Sequence, residues 1–182
     1  VSNMECGTLL NCYSVMNIVQ NCCQYTDFVG GLICQLSPRD EMSEIRIQNC
    51  YFDGKISFTS SDYMNKYEYV GGLVAYTRNF SDLKNYNISF NSCFSTASFD
   101  FSGAPQGEQY INIKDSLLLH FEKIYFASEQ VDKYLNVVGE KNIVDANSIL
   151  NRNFIIETLG WSDDIWNIED GQFPTLKPYV AE

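Results

Sequence analysis

The chain has 182 residues, 45% of them hydrophobic and 14% aromatic, and its 12 Lys and Arg against 23 Asp and Glu give a net charge of −11. This composition suits one folded domain and excludes disorder as the main state. The negative charge argues against a protein that binds the phosphates of nucleic acid. No run of residues approaches the roughly 18 apolar residues that are needed to cross a bilayer. We therefore expect no nucleic-acid partner and no membrane insertion within this chain.

Two short sequence motifs, which we call words, recur along the first hundred residues. Residues 11–14 read Asn-Cys-Tyr-Ser, residues 49–52 read Asn-Cys-Tyr-Phe, and residues 92–95 read Ser-Cys-Phe-Ser. Residues 28–33 and 69–74 share the word aromatic-Val-Gly-Gly-Leu-aliphatic at an offset of 41 residues. Two words that recur in the same order at this spacing are typical of a repeat fold.

Inside these words, small or apolar side chains alternate with other side chains along the sequence. This pattern is typical of β-strands, in which neighbouring side chains point to opposite faces. One face carries the small cysteines of each Asn-Cys-aromatic word: Cys12, Cys50 and Cys93. The opposite, outward face carries the aromatic residues: Tyr13, Tyr51 and Phe94. The Gly-Gly-Leu word at residues 70–76 likewise reads as one alternating strand. We expect the aromatic residues to form an outward column, which either stacks only to stabilise the fold or binds a ligand.

A repeat of about 41 residues with several short strands cannot bury its own apolar face, so successive copies must stack. We predict an all-β fold, a parallel β-solenoid over residues 1–127. If each repeat makes two turns of the solenoid, the first hundred residues give about five layers.

The end of the chain predicts a small mixed α/β cap over residues 128–182. Ser128 and Asp145 each suit the N-cap of a short helix. Ile165, Trp166 and Ile168 then read as a strand, and a tight turn at residues 170–171 leads to a returning segment over residues 173–176. We expect the two tryptophans of this segment, Trp161 and Trp166, to seal the last layer of the solenoid.

Seven cysteines would suggest disulfides in a short secreted chain, but the number is odd and three share one column. Members of that column two layers apart cannot easily be bridged, so we favour free, buried thiols. The adjacent Cys22 and Cys23 are the exception, because one of them must point outward and could meet Cys6 or Cys34. No Cys-x-x-Cys pair occurs and only one His is present, so we expect neither a metal site nor a cofactor.

No residue of the chain is a convincing catalytic candidate. The single histidine, His120, reads as a partly buried strand residue, since no nucleophile motif accompanies it. The tandem pair Asp163-Asp164 reads as a solvated turn, although β-helical hydrolases do use paired carboxylates. We therefore predict that the protein is not an enzyme and assign no catalytic residue.

These words resemble the GLUG-motif repeats of bacterial surface proteins. The resemblance rests on Val-Gly-Gly-Leu-Val at residues 70–74, its partner at 29–33, the Asn-Cys-Tyr words, and the tryptophan-rich ending that runs through residues 159–176. The stretch 110–134 carries no such word. The resemblance implies a right-handed parallel β-helix, a secreted or cell-surface location, and an adhesin-like or scaffold role without catalytic residues.

Three functions remain open at this point. The first is a non-catalytic, adhesin-like solenoid that presents Tyr13, Tyr51 and Phe94 to a host or bacterial glycan or to a surface protein. The second is a carbohydrate-active enzyme with carboxylates among loop residues 62–82. The third is a purely structural stalk, which would leave the aromatic column buried or without a ligand.

Overall fold

The computed structural model describes residues 1–20, 27–40, 42–58, 68–77, 87–100, 109–112, 119–127, 135–136 and 143–178. The strands are β1 Asn3–Met4, β2 Gly7–Leu10, β3 Tyr13–Val15, β4 Ile18–Gln20, β5 Asp27–Gly30, β6 Ile33–Leu36, β7 Glu44–Gln48, β8 Tyr51–Asp53, β9 Lys55–Phe58, β10 Glu68–Gly71, β11 Val74–Thr77, β12 Asn87–Ser95, β13 Ser98–Asp100, β14 Gln109–Asn112, β15 Leu119–Ala127, β16 Leu135–Asn136, β17 Ile143–Val144, β18 Trp166–Asn167 and β19 Thr175–Leu176. The other elements of the described residues are a short helix, α1 Ala146–Ile149, and a π-helix, Phe154–Thr158.

Nearly all strand pairing is parallel, which confirms an all-β fold built mainly of parallel sheets. The largest sheet runs β17-β15-β12-β7-β2 and also takes in β3 and β8. Three smaller parallel sheets have the orders β1-β6-β11, β16-β14-β10-β5 and β13-β9-β4. Only β18 and β19 pair antiparallel among the described strands.

Each repeat contributes one layer of strands, not two. Tyr13 is the Cα partner of Tyr51, and Tyr51 is the partner of Phe94. Val29 is likewise the partner of Val70, one repeat further along the chain. Equivalent residues of successive repeats therefore lie in adjacent layers, and the assumption of two turns per repeat is wrong.

The Asn-Cys-aromatic word is a corner of the chain. Residues at its first position have positive φ: Asn11 at 51°, Asn49 at 52° and Ser92 at 55°. Asparagine tolerates this left-handed conformation better than most residues do. The Nδ2 of Asn49 also donates a hydrogen bond to Oδ1 of Asn11 at 3.0 Å, so the asparagines of adjacent layers stabilise each other.

The same corner recurs in a stretch where the sequence shows no word. Lys123 has a φ of 54°, and Cys93 is the Cα partner of the residue that follows it, Ile124. The sequence Lys-Ile-Tyr at residues 123–125 thus takes the place of Asn-Cys-Tyr in a further layer. Parallel pairing then continues to Val144, past the domain boundary predicted at residue 127.

The Gly-Gly-Leu word is also a corner, so the prediction of one continuous strand is wrong. β10 ends at Gly71 and β11 begins at Val74, and the two strands belong to different sheets. A Cβ on Gly31 would lie 2.2 Å from the carbonyl oxygen of Gly72 and 2.2 Å from a ring carbon of Phe52. Only glycine allows two layers to approach this closely at the corner.

The buried apolar residues form an interior cluster that draws on all four parallel sheets and a second cluster on an outer face. The interior contains Ile45, Ile47, Ile88 and Phe90 from neighbouring layers, together with the cysteine column. The outer cluster joins Tyr51 and Phe94 to the C-terminal segment. Strand alternation therefore separates the two sides of β8 and β12 as the sequence predicts.

The C-terminal segment contains the predicted helix and hairpin. Asp145 caps α1, and its carboxylate accepts a hydrogen bond from the backbone N–H of Ser148 at 2.9 Å. Trp166 pairs with Leu176 across β18 and β19, and Gly171 adopts a φ of 74° in the turn between them. The helix predicted after Ser128 lies outside the described residues. No described helix is long and apolar enough to span a membrane.

Candidate functional site

The aromatic column predicted from the sequence exists. The rings of Tyr13 and Tyr51 stack with centroids 5.1 Å apart and planes 5° apart. The rings of Tyr51 and Phe94 stack at 4.8 Å and 4°. Parallel strands in register, about 4.8 Å apart, place equivalent rings directly over one another, so the stacking follows from the one-layer-per-repeat pairing.

The column is not the exposed surface that we predicted. Tyr51 and Phe94 are fully buried, and only Tyr13, in the first layer, is partly open with 39% of its surface exposed. Alternation identifies which side chains share a face of the sheet, but it does not show whether another segment covers that face. The prediction of an exposed binding column is therefore wrong for Tyr51 and Phe94.

The C-terminal segment covers the column with its own aromatic residues. Trp161 and Trp166 stack on each other at 4.5 Å. The ring centroids of Trp161 and Phe94 lie 5.6 Å apart, and those of Trp166 and Tyr13 lie 6.0 Å apart. The tryptophans thus reach the first and the last of the three predicted column residues, Tyr13 and Phe94, and lie along the side of the sheet. The expectation that they would seal the last layer is corrected, because their contacts run across three layers.

Two hydrogen bonds fix this cover on the sheet. The hydroxyl of Tyr51 donates to the backbone carbonyl of Pro174 at 2.7 Å. The indole Nε1–H of Trp161 donates to the carbonyl of Ser92, at the left-handed corner, at 2.8 Å. Both bonds are buried and join distant parts of the chain, so each contributes specificity as well as stability. By contrast, Nε1 of Trp166 is buried and has no partner among the described residues.

The electrostatic setting of Tyr51 suits a structural role. Burial, with smaller contributions from Tyr13 and Asp53, raises the pKa of the Tyr51 phenol well above its usual range. The phenol is therefore a neutral hydrogen-bond donor at physiological pH.

Stability should fall in alkali because of Tyr51. An unfolded tyrosine loses its proton near pH 10, whereas the folded one holds it to higher pH. The stabilisation is therefore complete below about pH 10 and is lost above it, by up to about 1.4 kcal/mol per pH unit. Denaturant unfolding of wild type, Tyr51→Phe and Tyr13→Phe between about pH 8 and 11 measures this. We expect Tyr51→Phe alone to flatten the fall, and equal slopes in all three proteins would contradict the assignment.

The cysteine column lies behind the aromatic one. Cys12, Cys50 and Cys93 precede directly paired residues, so they lie in adjacent layers and not two layers apart as we assumed. Their thiols are free, and those of Cys50 and Cys93 are fully buried. Each thiol hydrogen-bonds a carbonyl two residues earlier, at 3.1 to 3.3 Å. Burial raises the pKa of the Cys93 thiol well above its usual value.

Thiol labelling should separate these cysteines. In the native protein at about pH 8, we expect a maleimide to modify the exposed Cys6 quickly and to leave Cys93 unmodified, because the thiolate is the nucleophile. Peptide mapping after labelling, with a denatured sample as the control, measures each rate. Native labelling of Cys93 at the rate of Cys6 would contradict the buried column. Cys34 is partly exposed and free, whereas Cys22 and Cys23 lie outside the described residues.

The acidic candidates Asp163 and Asp164 are not arranged as a pair of catalytic carboxylates. Asp163 forms an ion pair with Arg152 at 3.0 Å, and its side chain is 59% exposed. Asp164 donates its backbone N–H to the hydroxyl of Ser162, so the Asp-Asp pair lies in a solvated turn, as predicted. Of the stretch 62–82, which we predicted to be a loop, residues 62–67 and 78–82 lie outside the described residues, and residues 68–77 form β10, β11 and the corner between them. His120 lies in β15 with Ser89 as its Cα partner, and its side chain is not described.

A shallow groove of about 480 Å³ lies on the C-terminal segment. Its lining is mostly polar and comes from both helices: Asn147, Ser148, Asn151, Asn153, Phe154, Glu157 and Thr158. Glu157 is the one acid in that lining, whereas glycoside hydrolysis needs two carboxyl groups. Within the described part of the chain, no group of three or more His, Cys, Asp or Glu side chains could hold a metal ion.

No family model matches the chain, and neither a curated protein nor a solved structure is significantly similar to it. The resemblance to GLUG-motif repeats therefore stays a prediction.

Proposed function

We propose that the chain is a non-catalytic, right-handed parallel β-solenoid that serves as a rigid stalk at a bacterial cell surface or outside the cell. The observation that carries the structural role is the burial of Tyr51 and Phe94 under the C-terminal segment. The aromatic residues that the sequence predicts to be a binding surface instead pack the C-terminal segment onto the sheet. The location and bacterial origin rest on the sequence resemblance alone.

The strand order supports the solenoid. The chain passes through the sheet of β1, the sheet of β2 and β3, the sheet of β4 and the sheet of β5, and then returns to the first sheet with β6. It repeats this order in the next layer. Ladders of like residues, such as Asn11 with Asn49, add contacts between layers that resist bending. Such stacking is how repeats that cannot fold alone become stable.

A second function, attachment to a glycan or a surface protein, rests on Tyr13 alone. Its ring is stacked on Tyr51 on one side and is 39% exposed. An aromatic face held rigidly in this way is a suitable platform for a sugar ring. The third function, carbohydrate cleavage, has no supporting pair of carboxylates in the groove beside Glu157.

A broad array of host and bacterial glycans distinguishes these functions. We would compare the wild type with Tyr13→Ala and with Met42→Ala, an exposed apolar residue of a different loop, and assay the same glycans for cleavage. The stalk proposal expects neither binding nor cleavage. Binding that is lost in Tyr13→Ala and kept in Met42→Ala would replace it with the attachment function. Cleavage by the wild type would overturn the non-catalytic role.

A further inference from the structure

Two buried cysteines of the repeats are direct neighbours across one strand spacing. Tyr51 and Phe94 are Cα partners, and each of them directly follows a cysteine, Cys50 and Cys93. The backbone N–H of Phe94 also donates to the carbonyl of Cys50 at 3.1 Å. Because one repeat makes one layer, the two cysteines lie in adjacent layers of the stack.

This spacing is compatible with a disulfide. Adjacent parallel strands lie about 4.8 Å apart, and the Cα atoms of bridged cysteines lie about 4.4–6.8 Å apart. A bridge within the cysteine column is unfavourable only if its members are two layers apart. The pairing of Tyr51 with Phe94 removes that objection for Cys50 and Cys93.

The thiol of Cys93 lies close to the layer that contains Cys50. Its Sγ is 3.6 Å from the carbonyl oxygen of Ile47, in that layer, and 3.2 Å from the carbonyl oxygen of Asn91, in its own. A hydrogen bond between the two thiols also lowers the pKa of the Cys50 thiol. The two sulfurs are therefore close enough to interact without any movement of the backbone.

The surroundings of the two cysteines favour a pair of this kind. Both are fully buried in the apolar interior. A disulfide carries no charge and has no proton that needs an acceptor, so it suits that interior at least as well as two thiols do. In the following layer the Cα partner of Cys93 is Ile124. Cys50 is therefore the cysteine of the column that Cys93 can reach.

We propose that Cys50 and Cys93 become joined by a disulfide when the chain folds in the presence of a low-molecular-weight disulfide such as oxidised glutathione. One of the two thiolates attacks a sulfur of the oxidant, which forms a mixed disulfide and releases one small thiol. The other thiol then attacks the protein sulfur of that mixed disulfide, loses its proton and releases the second small thiol. Two protein thiols are thus oxidised to one disulfide, while one small disulfide is reduced to two thiols.

The link goes beyond the stalk role, because it depends on the stacking of the layers and on an oxidant, and not on what the molecule binds. It would join adjacent layers of the solenoid covalently across the 43 residues that separate positions 50 and 93. Since both thiols are buried in the finished stack, the oxidant reaches them while the chain folds.

Refolding of reduced wild-type protein in a mixture of reduced and oxidised glutathione tests the link. The remaining thiols are alkylated, and the protein is digested with trypsin and analysed by mass spectrometry. Cleavage after Lys and Arg places Cys50 in the peptide 47–55, Cys93 in the peptide 85–114 and the other five cysteines in the peptide 1–39. We expect peptides 47–55 and 85–114 to be joined in most molecules.

A denatured sample and two variants provide the controls. The same mixture in concentrated urea should give at least about tenfold less of the link, since only the folded stack holds the two thiols together. Cys93→Ala should abolish the link, and Cys6→Ala, at an exposed thiol, should leave it unchanged. Circular dichroism checks that each variant is folded.

Three results, all available from the wild type alone, would overturn the proposal. The first is alkylation of both Cys50 and Cys93 in most of the refolded molecules. The second is a link from peptide 47–55 to peptide 1–39 in place of peptide 85–114. The third is an equal yield of the link in urea, which would show that it does not depend on the stacked layers. None of these results bears on the glycan array, so the stalk role is tested separately.

Discussion

Trp161→Ala lowers the free energy of unfolding by about 3–5 kcal/mol, the range for removal of a fully buried tryptophan. The indole is 1% exposed and stacks on Trp166 while it contacts Phe94. Its loss leaves a cavity between the C-terminal segment and the aromatic column. Amide exchange in residues 145–176 should then accelerate more than in β12, because the cover loosens before the sheet unfolds. Denaturant unfolding followed by far-ultraviolet circular dichroism measures the loss.

Phenylalanine at either tryptophan position provides the control. Trp161→Phe removes the buried hydrogen bond to the Ser92 carbonyl, which costs about 1–3 kcal/mol beyond the lost packing. Trp166→Phe removes an Nε1–H that has no partner among the described residues. Trp166→Phe should therefore be the milder change. Equal losses in the two variants would show that the bond to Ser92 contributes nothing.

Gly31→Ala should be destabilising by about 3 kcal/mol or more, at the upper end of the overpacking range. The added Cβ would lie 2.2 Å from the backbone oxygen of Gly72 in the next layer. A backbone carbonyl cannot rotate away as a side chain can, so the two layers must separate. Thermal unfolding of the variant measures the change, as a large drop in the midpoint.

Gly171→Ala separates steric conflict from backbone strain. Gly171 has a φ of 74° and nothing within 4 Å of an added Cβ. Its substitution carries only the cost of the left-handed conformation, about 1–2 kcal/mol. If Gly31→Ala were no worse than Gly171→Ala, the close approach of the layers at the Gly-Gly corner would be wrong.

The repeats are the part of the fold that the sequence predicts well. The words around Cys12, Cys50 and Cys93 align the residues that the structure pairs, because parallel stacking sets like residues over like. Alternation within them also separates interior from exterior, since the period of a strand is two. The N-cap at Asp145 is predicted for an equally local reason: its side chain bonds a backbone group three residues away.

Features that depend on distant segments are not predicted. The Gly-Gly corners look like strand because alternation cannot reveal that the backbone at Gly31 approaches Gly72. The layer at residues 123–125 is missed because a left-handed lysine replaces the expected asparagine. The burial of Tyr51 depends on a carbonyl 123 residues further along the chain. The alternation of side chains around Tyr51 does not show that another segment covers it; only the folded structure does.

Methyl and aromatic nuclear Overhauser contacts test the central claim most directly, namely one parallel layer per repeat. The pairing places Ile45 opposite Ile88 and Ile47 opposite Phe90, with all four side chains buried. Methyl labelling, with Ile88→Val to assign the signals, should give strong contacts for Ile45 with Ile88 and for Ile47 with Phe90. Contacts in the crossed pattern, Ile45 with Phe90 and Ile47 with Ile88, would show antiparallel pairing and contradict the account.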